Sequence, residues 1–109
     1  MIDDSYNANP TSMEAALRTL ADMNAERRVA VLGLMAELED PSEAHARIGA
    51  LARSLGIRMI AVDTDMYGVP SSTVQKAIDE LAGLTSRDVA VVKGSRVAGL
   101  ERVVDAVAI

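Results

Sequence analysis

The stretch Val29-Ala30-Val31-Leu32 decides the fold, because it is apolar at every position instead of alternating between apolar and polar residues. Two further runs have the same character, Met59-Ile60-Ala61-Val62 and Val89-Ala90-Val91-Val92. Continuously apolar runs of this length are typical of strands in a parallel sheet that is covered on both faces. We therefore predict three buried parallel strands, and we interpret Ile2-Asp3 as the remnant of a strand that precedes them.

Amphipathic helical patterns alternate with these strands. Pro10-Thr11, Ser42-Glu43 and Ser71-Ser72 mark the starts of the first three helices, and Gly56 marks the end of the second. A last helical pattern occupies residues 97–107. This order of elements predicts an α/β fold: a three-layer, doubly wound, mostly parallel sheet of Rossmann type, in a single domain.

The composition excludes several classes of site. The chain has 109 residues and no cysteine, so a disulfide scaffold, a thiol nucleophile and a thiolate metal site are excluded. His45 is the single histidine, which argues against a zinc site, and we expect it to be a surface or loop-packing residue rather than a general base. The net charge of -5 argues against a nucleic-acid partner. No targeting or membrane segment is visible, so we expect no membrane partner and a cytoplasmic location.

Ligands of doubly wound sheets bind at the carboxyl ends of the strands. In this sequence, those positions are residues 3–10, 33–39, 63–68 and 93–96. Residues 33–41 form the longest stretch without periodicity, and they mix apolar with acidic side chains. We expect this stretch to be a surface loop that is partly packed against the core.

The first of these segments carries several polar candidates. Asp3 and Asp4 either accept ribose hydroxyls or a magnesium ion, or cap the following loop through their own backbone. Asn7 and Asn9 suit an adenine edge or a peptide amide, but Asn is also a common turn residue. Tyr6 either stacks on a ring or packs over the helix start.

The last segment, Lys93-Gly94-Ser95-Arg96, opens the final helical pattern. Backbone N–H groups at a helix start, flanked by two cations, suit an anion such as a phosphate or a carboxylate. The segment lacks the spacing of a Walker A loop. The alternative is that Ser95 caps the helix and that the two charges are solvated.

Together these segments resemble one known family. Asp3-Asp4-Ser5-Tyr6-Asn7-Ala8-Asn9-Pro10 is similar to the opening of the C-terminal domain of the Mur ligases. Further matches follow in the same order, namely Val31-Leu32-Gly33, His45 with Ile48-Gly49, and Lys93-Gly94-Ser95-Arg96. Within the family, the sequence looks like the type that joins D-Ala-D-Ala to UDP-N-acetylmuramoyl-tripeptide in peptidoglycan precursor synthesis.

The resemblance implies an ATP-dependent ligase that phosphorylates the substrate carboxylate, after which the amine of the dipeptide attacks the acyl phosphate. ATP and Mg²⁺ would be the cofactors of the full-length enzyme. Residues 1–109 would be one domain excised from a larger three-domain enzyme. Such a fragment is expected to be inactive alone, with no catalytic residue, metal ligand or tightly bound cofactor of its own. Its partners would be the N-terminal and central domains and the small-molecule substrates.

The resemblance also assigns roles to individual residues. The implied nucleotide-binding residues are Asp4, Tyr6 and Asn7, and the implied acceptor-binding residues are Asn9, Lys93, Ser95 and Arg96. Two positions depart from the family pattern. Leu34 stands where an acidic residue is usual, and Glu39-Asp40-Pro41 replaces the usual Gly after the Glu-Leu pair.

Two other functions fit part of the pattern. Asp3-Asp4, Asp63 and Lys93 imitate the acidic pair, phosphoacceptor and lysine of a phosphorelay receiver domain. However, the strand carrying Lys93 is the next predicted strand after Asp63, where a receiver needs another strand bearing Ser or Thr, and Gly rather than Pro follows the lysine. A third possibility is a non-catalytic module that binds a partner through residues 33–41.

Overall fold

The computed structural model describes residues 2–3, 9–35 and 38–94 of the chain. In chain order the elements are β1 (Ile2–Asp3), α1 (Pro10–Asp22), β2 (Arg27–Leu32), α2 (Pro41–Ser54), β3 (Arg58–Val62), β4 (Ser71–Ser72), α3 (Val74–Ala82) and β5 (Asp88–Lys93). All three predicted buried strands and the first remnant strand are confirmed. The predicted helix over residues 97–107 lies outside the described residues.

The strands form one sheet in the order β1-β5-β2-β3-β4, and each of its pairings is parallel. The chain moves outward from β2 to β4 and then returns through α3, so that β5 is inserted between β1 and β2. Helices cover both faces of this sheet, which confirms the doubly wound α/β prediction.

The two faces of the sheet are covered by different helices. On β2, Ala30 and Leu32 belong to the core under α1 and α2, with helix residues Met13, Leu17, Leu20, Ile48 and Ala52. The alternate residues Val29 and Val31 belong to a second core under α3, with Ala77 and Leu81. Because successive side chains of a strand point to opposite faces, a continuously apolar strand serves both cores.

The first two helices begin with well-formed caps. The side-chain oxygen of Asn9 accepts a hydrogen bond from the Ser12 N–H at 2.9 Å, and Pro10 is the first residue of α1. Asp40 caps α2 in the same way, accepting from the Glu43 N–H at 3.1 Å. The departure at residues 39–41 therefore supplies the cap and the first residue of α2.

The prediction that Ser71-Ser72 opens the third helix was wrong. These two residues form β4, which pairs with Ala61 and Val62 at the edge of β3. The helix begins after Thr73, whose side chain accepts from the Lys76 N–H at 3.1 Å. The two serines are extended because their backbone groups serve the sheet, and a strand of two residues is too short to show a period in sequence.

Candidate functional site

The carboxyl ends of β1, β5 and β2 lie side by side. Asp3 is in register with Val92, and the Gly33 N–H donates to the Lys93 carbonyl at 2.9 Å, directly beyond the end of β2. The segments that follow these strands therefore start from neighbouring points of one sheet edge. Loops at the carboxyl edge are where ligands of doubly wound sheets bind.

The structure describes two of the seven predicted site residues, Asn9 and Lys93. Asp4, Tyr6, Asn7, Ser95 and Arg96 lie outside the described residues. Asn9 is exposed at the start of α1, and its side-chain oxygen Oδ1 accepts the hydrogen bond of the helix cap from the Ser12 N–H. Its side-chain NH₂ group is therefore the part of this residue that is available as a donor to a ligand.

Lys93 differs from a solvated cation at the sheet edge. Its side chain is 0% exposed and ranks among the largest fully buried side chains of the described residues. Charged lysines are almost never fully buried unless they are paired. The alternative in which both cations of the last segment are solvated is therefore wrong for Lys93.

The segment Gly33–Met35, which directly follows β2, is anchored by two buried side chains. The Tyr67 hydroxyl donates to the Gly33 carbonyl at 2.6 Å. The Met35 N–H donates to Nε2 of His45 at 2.9 Å. The loop that begins here also places Glu39 and Asp40 at the surface, which confirms the expectation of a partly packed surface loop.

His45 is a loop-packing residue, one of the two alternatives predicted for it. Its side chain is 0% exposed, with Nε2 accepting from Met35 and Nδ1 facing the Pro41 carbonyl. Because Nε2 accepts, the hydrogen-bond network assigns the proton to Nδ1, which donates to Pro41. Both ring nitrogens are therefore occupied within the domain.

Sequence reasoning missed the role of Tyr67. Its ring is fully buried, packs edge-on against His45 with centroids 4.9 Å apart, and its burial raises the pKa of the phenol. Gly49 makes this packing possible, since a Cβ there would lie 1.8 Å from the Tyr67 carbonyl oxygen. One signal was available, because Tyr67 is one of two tyrosines in a chain without Phe or Trp and follows a strand end.

Neither a metal-binding cluster nor a membrane-spanning helix occurs in the described ranges. Residues 2–3, 9–35 and 38–94 contain no group of three or more His, Cys, Asp or Glu side chains that could hold a metal ion. Within the same part of the chain, no helix is both long enough and apolar enough to cross a membrane.

The sheet order excludes the receiver alternative. Because β5 and β2 lie between β1 and β3, the carboxyl end of β1 is three strand spacings away from Asp63, which follows β3. At about 4.8 Å per spacing, this distance is roughly 14 Å. A receiver needs its acidic pair and its phosphoacceptor together. The predicted number of strands after Asp63 was wrong, since β4, which carries Ser71, lies between Asp63 and Lys93 in the chain.

This doubly wound domain, with its polar carboxyl edge, belongs to a known family of ligase domains. Residues 1–104 match the sequence profile described as "Mur ligase, glutamate ligase domain", and the chain is a member of that family. Its relatives include the UDP-N-acetylmuramoyl-tripeptide--D-alanyl-D-alanine ligase of Escherichia coli (strain K12), which is 39% identical over 119 residues, covering 97% of this chain and 26% of that ligase.

Two further comparisons, one of sequence and one of fold, give results consistent with this family. The ligase of the same name from Mycobacterium tuberculosis (strain CDC 1551 / Oshkosh) is 37% identical over 142 residues, covering 97% of this chain and 28% of that protein. The crystal structure of MurF ligase from Thermotoga maritima in complex with ADP has a similar fold, with a TM-score of 0.69 and 22% identity over 94% of this chain. The chain spans about a quarter of the length of these proteins.

Proposed function

We propose that this chain is the C-terminal domain of an ATP-dependent ligase that adds D-Ala-D-Ala to UDP-N-acetylmuramoyl-tripeptide. Family membership and relatives of that name, matched over 97% of the chain, support the reaction class. The observation that supports the proposed site is the pairing of β1 with β5. It brings Asp3 and Lys93, from which the proposed site segments start, to one edge of the sheet, although almost the whole chain separates them.

We propose that this domain works together with further domains of the same enzyme. Because the chain spans 26% to 28% of its curated relatives, we propose that residues 1–109 are one domain of a three-domain protein. The N-terminal and central domains would be its partners, and the cytoplasm, where ATP and UDP-linked precursors occur, would be its location. The isolated domain is expected to be inactive.

For the nucleotide we propose Asp4, Tyr6 and Asn7, which follow β1. The neighbouring fold solved with ADP is consistent with nucleotide use. ATP would supply the phosphoryl group that activates the substrate carboxylate. Among the described residues, no group of three or more His, Cys, Asp or Glu side chains could hold a metal ion. We propose that Mg²⁺ acts in the full-length enzyme, as the resemblance implies.

For the dipeptide we propose Asn9, Lys93, Ser95 and Arg96. The NH₂ group of Asn9 is a free donor at the start of α1, where the helix dipole also favours a carboxylate. Lys93 is buried, so it would act as a positive charge beneath the edge instead of reaching out to the ligand. Ser95 and Arg96 follow it and would make the direct contacts to the dipeptide carboxylate.

The test uses this domain joined to its upstream domains, with phosphate release measured as a function of D-Ala-D-Ala. We expect release to depend on the dipeptide. Asp4→Ala should raise the KM for ATP and Arg96→Ala the KM for D-Ala-D-Ala, each about tenfold, the effect of losing one charge-assisted hydrogen bond. Arg87→Ala, at the opposite edge of the sheet, is the matched control and should change neither KM. Phosphate release that is independent of the dipeptide would refute the proposal.

A further inference from the structure

We propose that Tyr67 and His45 are positioning residues: they hold the segment Gly33–Met35 against the end of β5 and so set the affinity for D-Ala-D-Ala without touching it. The inference rests on the proposed function and adds residues to the acceptor side of that site. The resemblance assigned no substrate-binding role to either residue, although His45 is among its matched positions.

The geometry fixes this segment from three directions. Gly33 donates through its N–H to the end of β5 and accepts from Tyr67 through its carbonyl. Met35 donates to His45, which is carried by α2. Both backbone groups of Gly33 are thereby committed, and its position relative to Lys93 is determined.

Burial makes these bonds effective as positioning devices. Tyr67 and His45 are 0% exposed and Met35 is 4% exposed, so these hydrogen bonds are shielded from bulk water. Hydrogen bonds in such surroundings are stronger than in water, and an orphaned group costs its full desolvation penalty. The Gly33 carbonyl should therefore move to find another donor when Tyr67 cannot serve it.

The strand order indicates which substrate's KM should change when Gly33 moves. Gly33 bonds directly to Lys93 at the end of β5, and two of the proposed acceptor residues, Ser95 and Arg96, follow Lys93. The proposed nucleotide residues follow β1, which lies on the far side of β5. A displacement of Gly33 therefore reaches the acceptor element first, and the KM for the dipeptide should change more than the KM for ATP.

Neither side chain is placed to act as a catalytic residue. His45 uses both ring nitrogens within the domain, and the Tyr67 hydroxyl donates to Gly33. Their effect should therefore appear in substrate affinity, with little change in kcat.

The main test is Tyr67→Phe in the enzyme that joins this domain to its upstream domains. Phe keeps the ring and its contact with His45 and removes the hydroxyl alone. We expect the KM for D-Ala-D-Ala to rise about five- to tenfold, with kcat and the KM for ATP within about twofold. An equal rise in both KM values would overturn the inference.

A pair of His45 variants gives an independent test, which also serves if Tyr67→Phe does not fold. In His45→Gln the side-chain oxygen can accept from the Met35 N–H, whereas in His45→Phe no acceptor remains. We expect the KM for the dipeptide in His45→Gln to lie nearer to that of the unmodified enzyme than in His45→Phe. Equal values in the two variants would contradict the positioning role.

Ile60→Val is the control for a general loss of stability. Ile60 belongs to the core under α3, and its truncation should lower the denaturation midpoint without affecting the KM for the dipeptide. If Ile60→Val raised that KM as much as Tyr67→Phe, the positioning role would be refuted. If the unmodified enzyme released phosphate independently of D-Ala-D-Ala, the proposed function itself would fail, and these two failures are thus distinguishable.

Discussion

The two edges of the sheet are held together by different kinds of interaction. The amino edge carries ion pairs besides its hydrogen bonds: Arg27 with Asp88 at 2.7 Å, Arg58 with Glu80 at 2.6 Å and Arg87 with Glu26 at 3.2 Å. At the carboxyl edge, the segment Gly33–Met35 is held by buried hydrogen bonds that involve the backbone, Tyr67 and His45.

The difference matters for both stability and function. Exposed ion pairs contribute about 0–1 kcal/mol and are screened by salt. Removing one partner of a buried hydrogen bond costs about 1–3 kcal/mol, because the other partner loses both water and protein. We therefore expect the domain to be more sensitive to substitution at the edge where we propose that the ligands bind than at the exposed pairs Arg58–Glu80 and Arg87–Glu26. Asp88 is the exception at the amino edge, because its side chain is 1% exposed.

The largest effect is expected for Gly49→Ala. The new Cβ would lie 1.8 Å from the Tyr67 carbonyl oxygen, so α2 and the segment around Tyr67 would have to separate. We expect the free energy of unfolding to fall by about 3 kcal/mol or more, measured by urea denaturation. Gly83→Ala is the matched control, since a Cβ there meets its nearest atom at 3.5 Å and φ is negative. Equal losses in the two variants would show that packing at Tyr67 is not tight.

His45→Leu should have the next largest effect. It leaves the buried Met35 N–H and the Pro41 carbonyl without their ring partner, and we expect a loss of about 1–3 kcal/mol in the free energy of unfolding. The comparison is Arg87→Ala at the amino edge, where the ion pair is exposed and the loss should stay below about 0.5 kcal/mol. Similar losses for both would remove the contrast between the edges.

Asp88 should make the amino edge sensitive to acid. Its pKa is lowered to about 2, first by the hydrogen bond from Arg27 and then by the Thr85 N–H. A lowered pKa in the folded state stabilises the domain above the unfolded value of about 4, and this contribution is lost as the pH falls towards 2.

We therefore expect the urea midpoint to decrease between about pH 4 and pH 2, and less steeply in Asp88→Asn. Arg27→Met removes the largest cause of the shift and should make the decrease shallower as well. The assignment to Asp88 would be wrong if both variants kept the slope of the unmodified chain.

The smallest effect is expected for the pair Arg58 and Glu80. Glu80 accepts two hydrogen bonds from the guanidinium, which also lowers its pKa, but the Arg58 side chain is 63% exposed. A double-mutant cycle with Arg58→Met and Glu80→Gln should give a coupling of about 0.5 kcal/mol that shrinks when salt is added. A coupling that is larger and independent of salt would place this pair with the buried interactions of the other edge.

Local patterns in the sequence were sufficient for most of the fold. The runs at 29–32, 59–62 and 89–92 are apolar at every position, and each forms a strand between two cores. Pro10 begins α1 and Gly56, with φ at +73°, follows the end of α2, as their local signals indicate. Such features depend on neighbouring residues and can be recognised one segment at a time.

Other features depend on partners that are distant in the chain. Ser72 is a strand residue because β3 lies beside it, and the bond between Tyr67 and Gly33 spans 34 residues. The burial of Lys93 follows from the position of β5 inside the sheet, between β1 and β2, which no local pattern reveals. The proposed roles of Asp4, Tyr6, Asn7, Ser95 and Arg96 remain predictions, because these residues lie outside the described ranges.

The insertion of β5 between β1 and β2 has a consequence for biosynthesis. On a ribosome, β1 and β2 emerge early, but each must wait for Asp88–Lys93 before it gains its neighbour on that side. Until then the nascent chain exposes open strand edges, which are templates for aggregation. Completion of the sheet is thus delayed until β5 has emerged, so a chain released before Asp88 would be a substrate for chaperones and proteases.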